Sequence, residues 1–370
     1  MKFTLDSATL APVLAAVAKA IPAKPTEPIL SGFLLEVKKE TLRVTASDTE
    51  MAIRGLVKVE EADNGTTVIP AGLLVALSKA LPAGNVSFET GDNCITARWK
   101  GGESTLPSME PKDYINPSVP EKDAEKVETV SDTLVEAIRK TVFAVKDDPT
   151  HPAISGLCFD INEAGMSLVG TDQKKMAKYD IPLTASVGRF ILPLKATGVL
   201  KSILPKETPV TIVYDQKNVR FCFGQMEVTS RLIMAKYPDY KRVFPDRTTN
   251  PNTCTVMTDD LLDSINRLSV VADKQSLIIK ANLTYNKMAL SAADFSMKTN
   301  GQETLETEYD GDEIEIGLVS TSLAEILSQV GQPNVTLSFK DSLRAVLVEP
   351  QTEDGKKDPY TAIVMPHRIR

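Results

Sequence analysis

Apolar residues recur at intervals of three and four along Thr9 to Ile21, Thr133 to Val145 and Asp260 to Ala272. That spacing turns one stripe of an α-helix towards a core, so each stretch is predicted to be an amphipathic helix. Asp6 or Ser7, Ser131 and Thr258 stand where N-caps are wanted. Pro12 is tolerable there only near the first turn. A second set of helical stretches covers Ala71 to Leu81, Lys195 to Leu204 and Ser322 to Val330. Between them, alternating or β-branched runs broken by turn residues read as hairpins, as in Val86 to Trp99, Val210 to Phe223 and Val335 to Val348.

These elements are one pattern written three times. LRVTASDTEMA, MSLVGTDQKKMA and MALSAADFSM align through Asp48, Asp172 and Asp294, and Leu77, Leu200 and Leu323 align in the second helices. The offset is about a third of the chain, so a triplicated unit of about 120 residues is predicted, each unit running helix, strands, helix, strands. The fold class is therefore α+β, in three tandem similar domains with two helices each packed on β-sheets. Boundaries are expected at 1–121, 122–246 and 247–370, with proline-bearing polar linkers from Asn116 to Glu128 and from Pro245 to Cys254. The repeated aspartates follow strand-like runs, where an Asx turn is the simplest role for them.

The 370 residues are 42% hydrophobic and 25% charged, an ordinary globular balance that excludes a mainly disordered or collagen-like chain. Cys94, Cys158, Cys222 and Cys254 are widely scattered without a CxxC, which predicts reduced, buried thiols. With only His151 and His367 present, a histidine-rich metal site has almost no material, and no phosphate loop, HExxH or GxSxG is found. Neither a catalytic centre nor a cofactor or metal is expected. Trp99 alternates with Ile95 and Ala97, which predicts a core role rather than base stacking. No run is long and apolar enough for a membrane helix and Met1 to Pro12 lacks the marks of a signal peptide, so a cytoplasmic protein without membrane contact is expected.

Tandem sheet-bearing units can pair edge to edge, and closing a ring removes the free edges. Three units would make half of a hexagon, completed by a second copy about a twofold axis. Two helices per unit would set about twelve helices around the bore at roughly 9–10 Å each, leaving a clear width of roughly 25 Å, enough for a nucleic-acid duplex. The chain carries a net charge of −7, yet the six helical stretches together hold more basic than acidic residues. A basic wall under an acidic exterior admits phosphates and repels them elsewhere. The rival reading is a triplicated peptide-binding scaffold that does not encircle DNA.

MKFTLDSATLAPVLAAV at the start, KPTEPIL (Lys24 to Leu30), YPDYKRVFP (Tyr237 to Pro245) and IVMPHRI (Ile363 to Ile369) together resemble the bacterial sliding clamps, the β subunits of DNA polymerase III. The resemblance spans the whole chain. It implies a non-catalytic, head-to-tail homodimeric ring of six domains that encircles double-stranded DNA without regard to sequence. Such a ring tethers the polymerase III catalytic subunit and gives processivity. By position, it implies phosphate neighbours at Lys24, Lys79, Arg139, Lys140, Lys195 and Lys201. It also implies a groove where the polymerase, the clamp loader and other DNA-processing proteins dock a short linear peptide. That groove would draw on His151, Ile154, Thr171, Lys174, Lys175 and Met176, on Pro238, Arg242 and Val243, and on Ile363, Val364, Met365, Pro366 and Arg368. Gln173 to Met176 stands where relatives often carry Gly-His-Arg-Leu, and His367 where Met is frequent. For the dimer contact, the strand around Thr96 to Lys100 is expected against Glu303, Glu306 or Glu308.

Overall fold

In the computed structural model, residues 1–183, 187–245, 248–352 and 355–369 are described; Asp246 and Arg247, at the second expected boundary and linker, lie outside them. Six helices occur among these residues: α1 (Ser7–Val17), α2 (Ala71–Ala80), α3 (Ser131–Val142), α4 (Leu194–Ile203), α5 (Thr258–Val271) and α6 (Ser320–Leu327). Each matches one of the six predicted stretches. Their buried stripes are those of the sequence pattern, Leu10, Leu14 and Val17 in α1 and Leu261, Ile265 and Leu268 in α5. Truncating any of these leucines or Ile265 to Ala would cost about 2–5 kcal/mol, because the lost contacts leave a cavity.

The helices depart from expectation in three places. Asp6 caps α1 by accepting the Ala8 N–H at 2.9 Å, but Ser131 is already the first residue of α3, and Thr258 is the first of α5, whose N-cap is Met257 without a side-chain bond. Pro12 lies inside α1 rather than in its first turn, and so removes one helical hydrogen bond.

The chain folds as two compact units, Met1–Val135 with Lys195–Met234, and Glu136–Leu194 with Ala235–Arg370. In the first, α1 packs against α2. A five-stranded sheet runs in the order Glu60–Asp63, Lys2–Asp6, Asn85–Gly91, Cys94–Trp99, Gly102–Pro107. Beside it is an eight-stranded sheet: four strands of the second repeat (Glu125–Val130, Pro209–Tyr214, Asn218–Phe223, Met226–Arg231) continue into four of the first (Met51–Lys58, Thr41–Ser47, Gly32–Lys38, Gly65–Pro70). At the seam Glu227 faces Arg54 in antiparallel register, and the two form a 2.7 Å ion pair.

The second unit repeats the design. Its eight-stranded sheet runs Gly188–Pro193, Gly156–Asn162, Gly165–Thr171, Lys175–Ile181, Tyr360–Val364, Val346–Gln351, Asn334–Phe339, Asn252–Met257. The seam is Lys175–Ile181 against Tyr360–Val364, again second repeat against third. A four-stranded sheet follows, in the order Thr299–Glu306, Lys287–Asp294, Ile278–Thr284, Ile314–Val319, with α5 packed on α6. Sharing one sheet between repeats explains why compactness divides the chain inside the second repeat. Every joint is a full backbone ladder, which leaves no polar edge to water at the seam.

All three predicted hairpins form as antiparallel pairs. The strand carrying Thr96 and Trp99 lies inside its sheet, between Asn85–Gly91 and Gly102–Pro107. The expected dimer contact through it is corrected accordingly: its backbone groups already face partners on both sides, and Gly102–Pro107 is the edge. Trp99 is half-buried rather than in the core, with Ile95 and Ala97 buried on its strand. Of the free cysteines, Cys158 and Cys254 are buried while Cys94 and Cys222 are only partly so.

Candidate nucleic-acid and partner interfaces

The repeated aspartates make the same local turn. Asp48 Oδ1 accepts the N–H groups of Glu50 and Met51, Asp172 Oδ1 those of Lys174 and Lys175, and Asp294 Oδ1 those of Ser296 and Met297, all within 2.7–3.0 Å. Each acceptor closes an Asx turn between two strands, a structural use of the carboxylate.

The six basic residues expected near DNA fall into two groups. Lys24, Lys79 and Lys201 are exposed, and no ion pair holds them among the described residues. Lys79 and Lys201 occupy the last turns of α2 and α4, where the helix dipole favours a cation. Lys195 is exposed but paired with Asp48. Arg139 is exposed and held by both Glu136 oxygens at 2.7 and 2.8 Å and by Gln329 at 2.7 Å. Lys140 departs from expectation. It is 8% exposed, its ammonium lies 3.6 Å from Glu136 and 5.3 Å from the centre of the Tyr360 ring, and it points to the Val330 carbonyl. A lysine folded in this way packs α3 onto its own unit and offers no charge to solvent.

The groove residues all belong to the second compact unit. Ile363 and Val364 are buried in the strand Tyr360–Val364, facing Met176 and Lys175 across the seam. The tail leaves this strand with Met365 donating its N–H to the Lys174 carbonyl at 2.8 Å, then His367 donating to the Gly317 carbonyl at 2.7 Å. The first bond holds Met365, 39% exposed, beside the Thr171–Lys175 turn, and the second carries the tail, with exposed Arg368, on to the strand Ile314–Val319. Thr171 is buried and donates to the Lys175 carbonyl at 2.8 Å. Ile154 is buried at the 3-10 turn Pro152–Ile154, and exposed His151 bonds Asp148 at 3.2 Å. Hydrogen bonds from Thr150 and His151 hold the Asp148 carboxyl down at about 2.

Arg242 ends the 3-10 turn Tyr240–Arg242, and Pro238 and Val243 lie on either side of it; all three are exposed, Val243 at 42%. Arg242 pairs with Asp239 at 2.9 Å. Val243 and Met365 are thus apolar groups open to a ligand, with Lys174, Arg242 and Arg368 as exposed cations. Lys175 does not join that rim. It is 8% exposed, bound to Asp172 at 2.6 Å and to Glu325 at 3.0 Å, so its charge is spent inside the protein. Burial pulls its pKa down, and the two carboxylates more than reverse this. Arg368 also lines a cavity of about 450 Å³ with Lys280, Glu315 and His367.

One cluster escaped the sequence reading. The buried carboxylate Asp160, on Gly156–Asn162, meets Arg189 at 3.0 Å through each oxygen, the Tyr240 hydroxyl at 2.6 Å and Lys241 at 3.1 Å. Burial pushes its pKa up, but these partners outweigh burial and leave it lowered. Tyr240 and Lys241 lie within YPDYKRVFP, so half of the cluster was visible; the acid it meets is distant in sequence.

Family models match three successive stretches: the DNA polymerase III beta subunit N-terminal domain at residues 1–118, its central domain at 128–239 and its C-terminal domain at 241–368. The chain belongs to the DNA polymerase III beta subunit family. Curated relatives are the beta sliding clamps of Vibrio cholerae, 26% identical, and Caulobacter vibrioides, 27% identical, each covering 100% of both chains. Among solved structures, the DNA polymerase sliding clamp of Pseudomonas aeruginosa matches with a TM-score of 0.93 at 24% identity, again over 100% of both chains. The Thermotoga maritima beta subunit matches at 0.88 and 23%. The clamp fold is therefore common to all of them, three similar two-helix modules in one chain. No group of three or more His, Cys, Asp or Glu side chains suited to a metal occurs among the described residues, nor does a helix long and apolar enough to cross a membrane.

Proposed function

We infer that the chain is a sliding clamp in DNA replication: two copies join head to tail into a ring around duplex DNA and hold the replicative polymerase on its template. It is a non-catalytic subunit, acting in the cytoplasm, that confers processivity by enclosure. The observation that carries this reading is the repeated sheet seam. Two joints between consecutive modules are edge-to-edge ladders, and strands Gly102–Pro107 and Thr299–Glu306 end their sheets in the first and last modules. A second copy supplies the missing neighbour for each, giving two equivalent head-to-tail joints related by a twofold axis, with no exposed edge left there. Glu303 and Glu306 lie on the second of these strands. The modules run 1–121, 122–246 and 247–370.

The bore needs only weak, sequence-blind phosphate contacts, since tight ones would impede sliding. Lys24, Lys79 and Lys201 are free to make them; Lys195 and Arg139 join by exchanging Asp48 and Glu136 for phosphate, and Lys140 serves packing instead. The polymerase, the clamp loader and other partners dock a short peptide between the Pro238–Val243 segment and the tail. Val243 and Met365 take the apolar anchor there, and the rim cations orient polar groups.

Loaded clamp should remain on circular DNA and slide off once the circle is cut. Equal retention on both forms, or a monomer at micromolar concentration, would overturn the ring. Lys24→Glu with Lys201→Glu should weaken DNA association by an amount that shrinks with added salt. Deleting Met365 to Arg370 should abolish polymerase binding and leave the dimer intact; unchanged affinity would remove the groove.

A further inference from the structure

The groove wall formed by Pro238, Arg242 and Val243 is a short loop with a single 3-10 turn, exposed on its outer side. Its own backbone bonds, from Tyr240 to Pro238, Arg242 to Asp239, and Val243 and Phe244 to Tyr240, close only local turns, so something beneath it must define its position. Two side chains of the loop, Tyr240 and Lys241, point inward to one carboxylate, Asp160 Oδ2, at 2.6 and 3.1 Å. Its other oxygen accepts the Arg189 Nε–H at 3.0 Å, and Arg189 Nη2 reaches Oδ2 at the same distance, so the acid is itself held by the neighbouring strand. Arg189 and Lys241 both lie 5.8 Å from the centre of the Tyr240 ring. Tyr237 donates to the Val169 carbonyl at 3.1 Å, and Tyr240 stands edge-on to Tyr237 and Phe244. None of these groups is itself an exposed apolar contact for a peptide.

We propose that Asp160 is the positioning residue of the partner groove, fixing Pro238, Arg242 and Val243 through Tyr240 and Lys241 so that the groove is formed before a peptide arrives. This rests on the groove assignment given above. A preformed wall spares the peptide the cost of ordering the loop on binding. Charge-assisted bonds suit that task because they are strong and directional at a site otherwise made of aromatic rings.

The test uses the full-length dimer and the polymerase III catalytic subunit as probe, with affinity and amide hydrogen exchange measured on the same variants. Asp160→Asn should weaken polymerase binding about tenfold, and Lys241→Ala, at a half-exposed side chain whose loss is compatible with folding, about threefold. Asp160→Glu should recover most of the loss. Exchange should accelerate over residues 239–244 by a clearly larger factor than over Gly156–Asn162 and Gly165–Thr171, which share only the global loss of stability. Unchanged affinity in both Asp160→Asn and Lys241→Ala would overturn the proposal, provided Val243→Asp and Met365→Asp still abolish binding. So would acceleration of equal size across both strands and the loop, which would make Asp160 a general fold residue. If Val243→Asp and Met365→Asp also bind normally, the groove itself is wrong and the proposal falls with it.

Discussion

The segments that close the first and second modules begin from near-duplicate frameworks and end differently. Strands Gly32–Lys38 and Gly156–Asn162 are each seven residues long, begin with glycine and carry an acid at the fifth position, Glu36 in one and Asp160 in the other. Opposite Asp160 in the ladder stands Arg189; opposite Glu36 stands Thr66. The Asp160 side chain is 7% exposed and tied to three partners, whereas Glu36 is 36% exposed and has Arg43 at 3.8 Å. Tyrosines pin both segments to carbonyls of matching strands, Tyr237 to Val169 and Tyr114 to Thr45. The first segment and its sheet together line an open cavity of about 570 Å³, bounded by Leu34, Glu36, Thr66 and Tyr114. Two cations near one acid thus separate a clamped loop from a loose one on the same backbone plan. In the third module the corresponding position of Ile278–Thr284 is Asn282, bonded to Glu313, and the acid is gone.

The largest expected effect comes from removing the acid. Asp160→Ala leaves Arg189 and Lys241 facing each other without a counter-charge, and should lower stability by about 3 kcal/mol in chemical denaturation. Glu36→Ala should cost no more than about 0.5 kcal/mol, and a similar loss at both sites would break the contrast. Acid offers a second handle. Because the folded-state pKa of Asp160 is depressed, its contribution is complete above the unfolded value of about 4 and disappears as pH falls through the lower folded value. The melting temperatures of the wild type and Asp160→Asn should therefore converge below about pH 4, and a constant gap would contradict the ionic account. A smaller effect, about 1 kcal/mol, is expected for Tyr114→Phe, which removes one neutral hydrogen bond from the loose segment. Smallest is Thr66→Arg, which supplies Glu36 with the partner its counterpart has. At an exposed site it should gain under about 1 kcal/mol, read as slower amide exchange over residues 111–116.

Much of this molecule is legible in its residue pattern. Helix periodicity located α1 to α6, alternation located the hairpins, and the repeat of Asp48, Asp172 and Asp294 announced a turn made three times. Such features depend on neighbours within a few residues, where spacing and geometry correspond. The basic and groove residues were chosen by type and resemblance, and there the limits appear. Lys140 and Lys175 look like surface cations in sequence, yet each is buried against carboxylates and carbonyls from other elements. The strand of Thr96 reads as a plausible edge, but whether a strand is last in its sheet depends on what folds beside it.

By itself, the sequence determined that there are three α+β modules, where their helices and hairpins lie, and that no apolar run is long enough for a membrane helix, because periodicity and composition are local or summed properties. Only the tertiary structure decided that consecutive modules share one sheet, that Asp160 holds the second connecting segment while Glu36 leaves the first one open, and which lysines keep their charge in water. Those outcomes depend on groups up to 190 residues apart, as Lys140 and Val330 are, or 80 apart, as Tyr240 and Asp160 are, meeting within hydrogen-bond distance. Burial and pairing at that range follow from packing, and residue type alone does not encode them.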